Sequence, residues 1–127
     1  MSWRTWGVYL WGFLAGATVA TYVAVSCAPT RAQSAEVSAA LEHASAEYGV
    51  SLGCLRRIAW RESRYQPWQT NWQGSGAAGL MQFLPTTYRW MSSQAGYGGT
   101  SPYDAWSAAH VAAWAIRNGY LSHWGGC

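Results

Sequence analysis

The chain has 127 residues, half of them hydrophobic, and a net charge of +3, which leaves room for one domain and no second. All eight basic residues are Arg and they are scattered, so no basic stripe argues for nucleic acid. Ten Trp and eight Tyr are heavy aromatic usage, and such rings, apolar on the face and polar at the edge, suit sugar rings and amphipathic interfaces alike.

An uncharged run from Thr5 to Thr30 follows Arg4, apolar from Val8 to Val25, and gives way to small and polar residues around Arg31. This is the layout of a secretory signal cut after Ala32, with Thr30 and Ala32 as the small residues that cleavage needs. An apolar run of roughly 18 residues also approaches the thickness of a bilayer. A retained anchor, with residues 5–25 in the membrane, is therefore the second reading. Val25-Ser26-Cys27 supports a third, a lipoprotein, against which Ala24 stands where a larger aliphatic residue is usual. Each reading places the remainder outside the cytoplasm. The expected division is a signal or anchor over residues 1–33 and one domain over 34–127.

The spacing of apolar residues predicts a first helix over 34–48, with Val37, Leu41, Ala44 and Tyr48 on one face and Gly49 as its stop. A second helix runs from Ser51, its N-cap, to Ser63, because the Gln66-Pro67 step disfavours continuation. At about 100° per residue, Leu52, Leu55, Ile58 and Ala59 share one face of it, and Arg57, Arg61 and Arg64 the opposite one. Glu62 falls on the apolar face, nearly above Leu55. A carboxyl there is expected to be partly withdrawn from water and biased toward its protonated form, unless it turns outward to pair with a nearby Arg.

Residues 66–79, rich in Gly, Asn and Gln, read as a loop or short hairpin lining a cleft. Pro85 opens a helix to about Gln94, and 96–101 is a loop. Ser101-Pro102-Tyr103-Asp104 has the form of a capping box that opens a helix through Asn118, with an Ala/Trp face and Gly119 at its end. The expected fold class is mainly α (α+β): a small helical domain with an irregular or short β insert beside the helix that carries Glu62.

If Cys27 belongs to the signal, Cys54 and Cys127 remain, an even number in an exported chain, and a bridge between them is expected. Two unrelated thiols are the alternative. No set of Cys, His and acids shows metal-ligand spacing: His43, His110 and His123 read as isolated packed or surface histidines. No metal and no cofactor is expected.

The densest pattern lies between Trp60 and Tyr88. It consists of Trp60-Arg61-Glu62-Ser63, a turn-rich gap ending Gly74-Ser75-Gly76-Ala77-Ala78, then Gly79-Leu80-Met81-Gln82-Phe83-Leu84-Pro85-Thr86-Thr87-Tyr88. A Glu-Ser pair alone carries almost no information. Followed in order by Gly-Leu-Met-Gln and Pro-x-Thr, it resembles the core of the lytic transglycosylases, lysozyme-like enzymes that cut bacterial peptidoglycan. The resemblance reaches from Tyr48 to Trp124. It implies a lysozyme-like arrangement, Glu62 as the catalytic group, and peptidoglycan glycan strands as the substrate. It also implies that Met81 and Gln82 line the cleft, with Gln82 hydrogen-bonding the sugar, and that Gly79 permits close backbone approach. Ser75 is the nearest match to a hydroxyl that the family places in this gap. The Ala-Tyr-Asn element common further along the family is absent, and Trp114 and Tyr120 are the aromatic residues that would stand in for it.

The acids narrow the mechanism. Conventional glycosidases use two carboxylates, about 5–5.5 Å apart for retention or 6.5–9.5 Å for inversion. Of the five acids here, Glu36, Glu42 and Glu47 belong to the first helix, and Asp104 reads as a helix-start residue. That favours chemistry with one carboxyl. In the family that the chain resembles, a single Glu protonates the glycosidic oxygen and then deprotonates the muramoyl 6-hydroxyl, which closes on C1 and leaves a 1,6-anhydro end. Intramolecular attack replaces a protein nucleophile by effective concentration. The alternatives are a lysozyme-type muramidase using water, a non-catalytic glycan-binding module, and an envelope assembly protein that uses the scaffold structurally.

Overall fold

A computed structural model describes residues 29–127. Among them the helices run in the order α1 (Arg31–Tyr48), α2 (Leu52–Ser63), α3 (Pro85–Ala95) and α4 (Ala105–Arg117), followed by a 3-10 turn, Leu121–Trp124. The signal or anchor expected over 1–33 lies outside the described residues up to position 28, and so does its membrane-associated stretch 5–25. Its last residues do not: Arg31, Ala32 and Gln33 form the first turn of α1, which begins before Ser34. Among the described residues no helix is long and apolar enough to cross a membrane.

α4 is the centre of the core. Ala105, Ala108, Ala109, Val111, Ala112, Ala113 and Ala115 are all buried, as expected for a helix that is apolar nearly all round. Its small side chains let neighbours approach closely, and α1 packs chiefly on it. The face of α1 that makes this contact is Val37, Ala40, Leu41 and Ala44. Leu55 and Ile58 of α2 are fully buried beside them, each worth about 1.5–3 kcal/mol in area removed from water. Arg57, Arg61 and Arg64 lie exposed on the other face. Ser51 caps α2 as its sequence indicates, accepting from the Cys54 amide at 3.1 Å.

The structure decides between alternatives in two of the expectations. The cap of α4 is Asp104, whose carboxylate accepts from the Ser107 amide at 3.1 Å and from its hydroxyl at 2.5 Å. Ser101, the cap residue of the proposed box, instead accepts from the Tyr103 amide at 3.1 Å and folds the preceding turn. A carboxylate at the N-terminus also meets the positive end of the helix dipole, so Asp104 outcompetes the hydroxyl upstream. The second is the insert between α2 and α3, which takes the irregular form: its β pairing is limited to two isolated antiparallel bridges, Thr70 with Ala78 and Ala78 with Phe83. A segment so rich in Gly, Asn and Gln lacks the β-branched alternation that would extend them into strands.

The insert is nevertheless firmly placed. Ala78 and Phe83 exchange both backbone hydrogen bonds, at 2.8 and 3.0 Å, and close a tight loop over Gly79-Leu80-Met81-Gln82. Tyr88 of α3 is buried and its hydroxyl meets Thr100 Oγ1 at 2.8 Å, which pins the 96–101 loop. Burial holds the Tyr88 phenol above its ordinary pKa, so it remains a neutral hydrogen-bonding group.

Candidate active site

Glu62 stands in the last turn of α2, next to the left-handed residue Arg64 (φ 55°) that ends the helix. Its side chain is partly withdrawn from water, as expected. The side chain keeps 28% of its surface, and its Oε1 lies 3.3 Å from Arg61 Nε. Arg61 reaches round from the polar face to meet the carboxylate.

Arg61 is itself held. Its Nη2 donates to the carbonyls of Trp124 at 2.5 Å and Gly126 at 3.2 Å. Arg57 Nε donates to the Cys127 carbonyl at 3.3 Å. Cys127 is joined to Cys54 of α2 by a disulfide that spans 73 residues, with Cα atoms 5.1 Å apart, as the cysteine count predicts. The C-terminal segment is thus fastened along the polar side of the Glu62 helix by one covalent and three charge-assisted contacts.

The Gly-Leu-Met-Gln loop is fastened to the same helix from the other side. Ser63 is buried, and its hydroxyl donates either to the Leu80 carbonyl at 2.7 Å or to Ala59 O at 3.0 Å while accepting from the Gln66 amide at 3.3 Å. Trp124 Nε1 donates to the Met81 carbonyl at 2.8 Å, and its ring meets Phe83 edge-on at 5.4 Å. Glu-Ser and Gly-Leu-Met-Gln therefore belong together physically: the serine next to the acid is the bolt that holds the downstream motif in place. The roles of Ser63 and Trp124 escape the sequence analysis, while the Arg61 contact is the Arg pairing it gave as the alternative for Glu62. The signal for Ser63 was a hydroxyl on an apolar helical face, where an unpaired polar group is costly.

The residues implied by the family resemblance are placed unevenly. Met81 has no exposed surface; its side chain belongs to the core, and only its carbonyl takes part, in the bond from Trp124. Gln82 is part-buried in a left-handed conformation (φ 51°), and its Nε2 donates to the carbonyls of Gln69 at 3.1 Å and Gly79 at 3.0 Å. That amide nitrogen braces the loop. Ser75 is exposed at the tip of the insert, its hydroxyl accepting from the Ala77 amide at 3.2 Å. Trp114 and Tyr120 do come together, stacked with centroids 6.1 Å apart, and Trp90 meets Tyr120 edge-on at 5.6 Å. Trp90 and Tyr120 remain 47% and 38% exposed, so the trio presents ring surface to solvent. A separate cleft of about 480 Å³, lined by Glu36, Pro67, Trp68, Trp72 and Tyr103, lies against the insert; Glu62 is not among its walls.

Gly79 is needed for approach, but the partner is protein. At φ 81°, a Cβ on it would stand 1.8 Å from the Pro102 carbonyl oxygen. Gly79→Ala is expected to cost about 1–2 kcal/mol for the left-handed backbone and about 1–3 kcal/mol for the overpacking. Urea unfolding measures it, and a midpoint equal to that of the parent would mean that the Pro102 turn yields freely.

The histidines are the clearest departure from expectation. His43 and His110, predicted to stand alone, meet at 2.8 Å between Nδ1 and Nε2, with Glu47 beside them.

A family model described as the transglycosylase SLT domain matches residues 39–124, well over half of the chain. No curated protein and no solved structure matches it.

Proposed function

The chain belongs to the transglycosylase SLT-domain family, whose members are peptidoglycan lytic transglycosylases, and we propose that it is an active one, cleaving the MurNAc-GlcNAc β-1,4 bond with Glu62 as acid and then base. The observation that carries this is the arrangement around Glu62: one carboxyl at a helix end, with the motif loop bolted beside it through Ser63 and Leu80.

The other acids support a one-carboxyl mechanism. Glu42 meets Arg56 at 3.2 Å, Glu47 faces two histidines, and Asp104 caps α4. Glu36 lines the cleft that excludes Glu62. In the proposed reaction Glu62 gives its proton to the glycosidic oxygen as the C1–O bond breaks. The resulting carboxylate takes the proton of the muramoyl 6-hydroxyl, whose oxygen bonds to C1. No water is consumed, and the carboxyl returns to its starting state. Arg61, fixed by the C-terminal carbonyls, sets the direction of the carboxylate. The exposed rings of Trp90 and Tyr120, with the half-buried Trp114 stacked behind Tyr120, are the surface on which sugar faces would stack.

Because the substrate is wall glycan, the domain works outside the cytoplasm, with residues 1–33 as export signal or anchor. Incubation of the purified protein with peptidoglycan should release muropeptides that end in 1,6-anhydro-muramoyl, one water lighter than hydrolytic products by mass spectrometry. Free reducing ends would instead establish a muramidase, and binding without release a glycan-binding module.

A further inference from the structure

We propose that His43, Glu47 and His110 form a binding site for a divalent transition metal ion, Zn2+ foremost, that staples α1 to α4. His43 and Glu47 are four residues apart on α1 and so share one face; His110 projects from α4 against them. His43 Nδ1 lies 2.8 Å from His110 Nε2, and Glu47 Oε2 lies 3.4 Å from each nitrogen. The three atoms form a nearly equilateral triangle. Ligand atoms around a tetrahedral zinc with bonds of about 2.0–2.1 Å are roughly 3.3 Å apart, so an ion above this triangle needs only a small spreading of the two rings.

The surroundings prepare the set for an ion. His110 is fully buried and its Nδ1 lies 2.7 Å from the Trp106 carbonyl oxygen. A carbonyl only accepts, so Nδ1 carries the proton and, in the neutral ring, the Nε2 lone pair points at His43 and Glu47. Fixing a ligand histidine through its other nitrogen in this way orients and strengthens it at metal centres. Trp106 also packs on both imidazoles, with centroids 4.7 Å from His43 and 4.5 Å from His110, and limits their rotation. Access remains open. The side chains of His43 and Glu47 keep 55% and 45% of their surface, so an ion enters from solvent and water completes the fourth position. Two imidazoles and one carboxylate favour zinc and its neighbours over calcium and magnesium, which require oxygen. Without an ion, the same geometry is a hydrogen bond from His43 Nδ1–H to His110 Nε2. A metal replaces that proton, so uptake releases protons.

The test uses the full chain without a histidine tag, stripped with chelator and titrated calorimetrically with zinc chloride, alongside thermal unfolding. We expect one ion per chain and a rise in the unfolding midpoint. Cobalt(II) should give the intense visible band of a tetrahedral site. His43→Ala and Glu47→Gln, both at exposed side chains, should each weaken binding by about tenfold or more; Glu47→Gln should leave the metal-free midpoint nearly unchanged, while His43→Ala, which takes from buried His110 Nε2 its hydrogen-bond donor, should lower it. His123→Ala should change neither, and calcium and magnesium should not bind. Absence of one-to-one zinc binding overturns the proposal. So does binding unaffected by both α1 variants, or lost equally in His123→Ala. Since Glu62 takes no part, these outcomes are independent of whether the chain cleaves glycan.

Discussion

Glu62→Gln should reduce release of muropeptides by at least about 10²–10⁴-fold, the contribution of a positioned acid and base, while leaving the fold in place. Gln keeps the shape and can still accept from Arg61 but cannot deliver a proton. The stability cost should be small. Glu62 and Arg61 expose 28% and 44% of their side chains, and ion pairs in such settings are worth about 0–1 kcal/mol. The measurement pairs a muropeptide assay with a thermal melt and a peptidoglycan pull-down. Retention of more than a few per cent of activity would remove Glu62 from the chemistry. Loss of activity with a collapsed melting curve would show that the carboxylate is structural, acting through its contact with Arg61. A variant that is inactive, folded and still bound to glycan strands is the outcome expected of the catalytic role.

What the sequence reveals follows the range of the interactions involved. Ser51 capping α2, Pro85 opening α3 and the apolar faces of α1 and α2 depend on residues within a turn or two, and period and capping rules reach that far. Asp104 shows where such rules compete: two capping residues stood three apart, and the one with charge at the helix axis won. The burial of Met81 could not be read locally, because its tight loop is packed by residues far away in sequence, Trp124 among them, whose indole bonds the Met81 carbonyl. The same holds for His43 and His110, 67 residues apart and joined only by the packing of α1 on α4. Both histidines read as isolated in the sequence, although His43 and Glu47, four apart on α1, already share a face. Around Glu62 the bonds that unite the segments of the motif run through Ser63, Arg61 and Trp124, whose partners are set by the tertiary fold.

Opening the Cys54–Cys127 bridge, by reductant or by Cys127→Ser, should lower stability by about 4 kcal/mol, since it releases the closure of a long loop in the unfolded chain. The separation of 73 residues sets that figure. For a domain of this size the loss corresponds to about 15 °C or more in the midpoint, a large part of a total that is typically 5–15 kcal/mol. The effect on cleavage at a permissive temperature should be smaller. Without the bridge, Arg57 and the Gly126 carbonyl lose the covalent stop that fixes residues 125–127, but Trp124 keeps its indole bond to Met81 and its buried contact with Phe83. The shorter of the two anchors of Arg61, the Trp124 carbonyl at 2.5 Å, is therefore retained. Glu62 should stay oriented while the fold as a whole weakens. Melting curves with and without reductant, read beside initial rates well below the lower midpoint, separate the two quantities. A midpoint that moves by only a few degrees would mean that the reduced, unfolded chain is already compact and gains little freedom. A rate that falls in step with stability would mean that the last residues, and not Trp124, hold Arg61 against the acid.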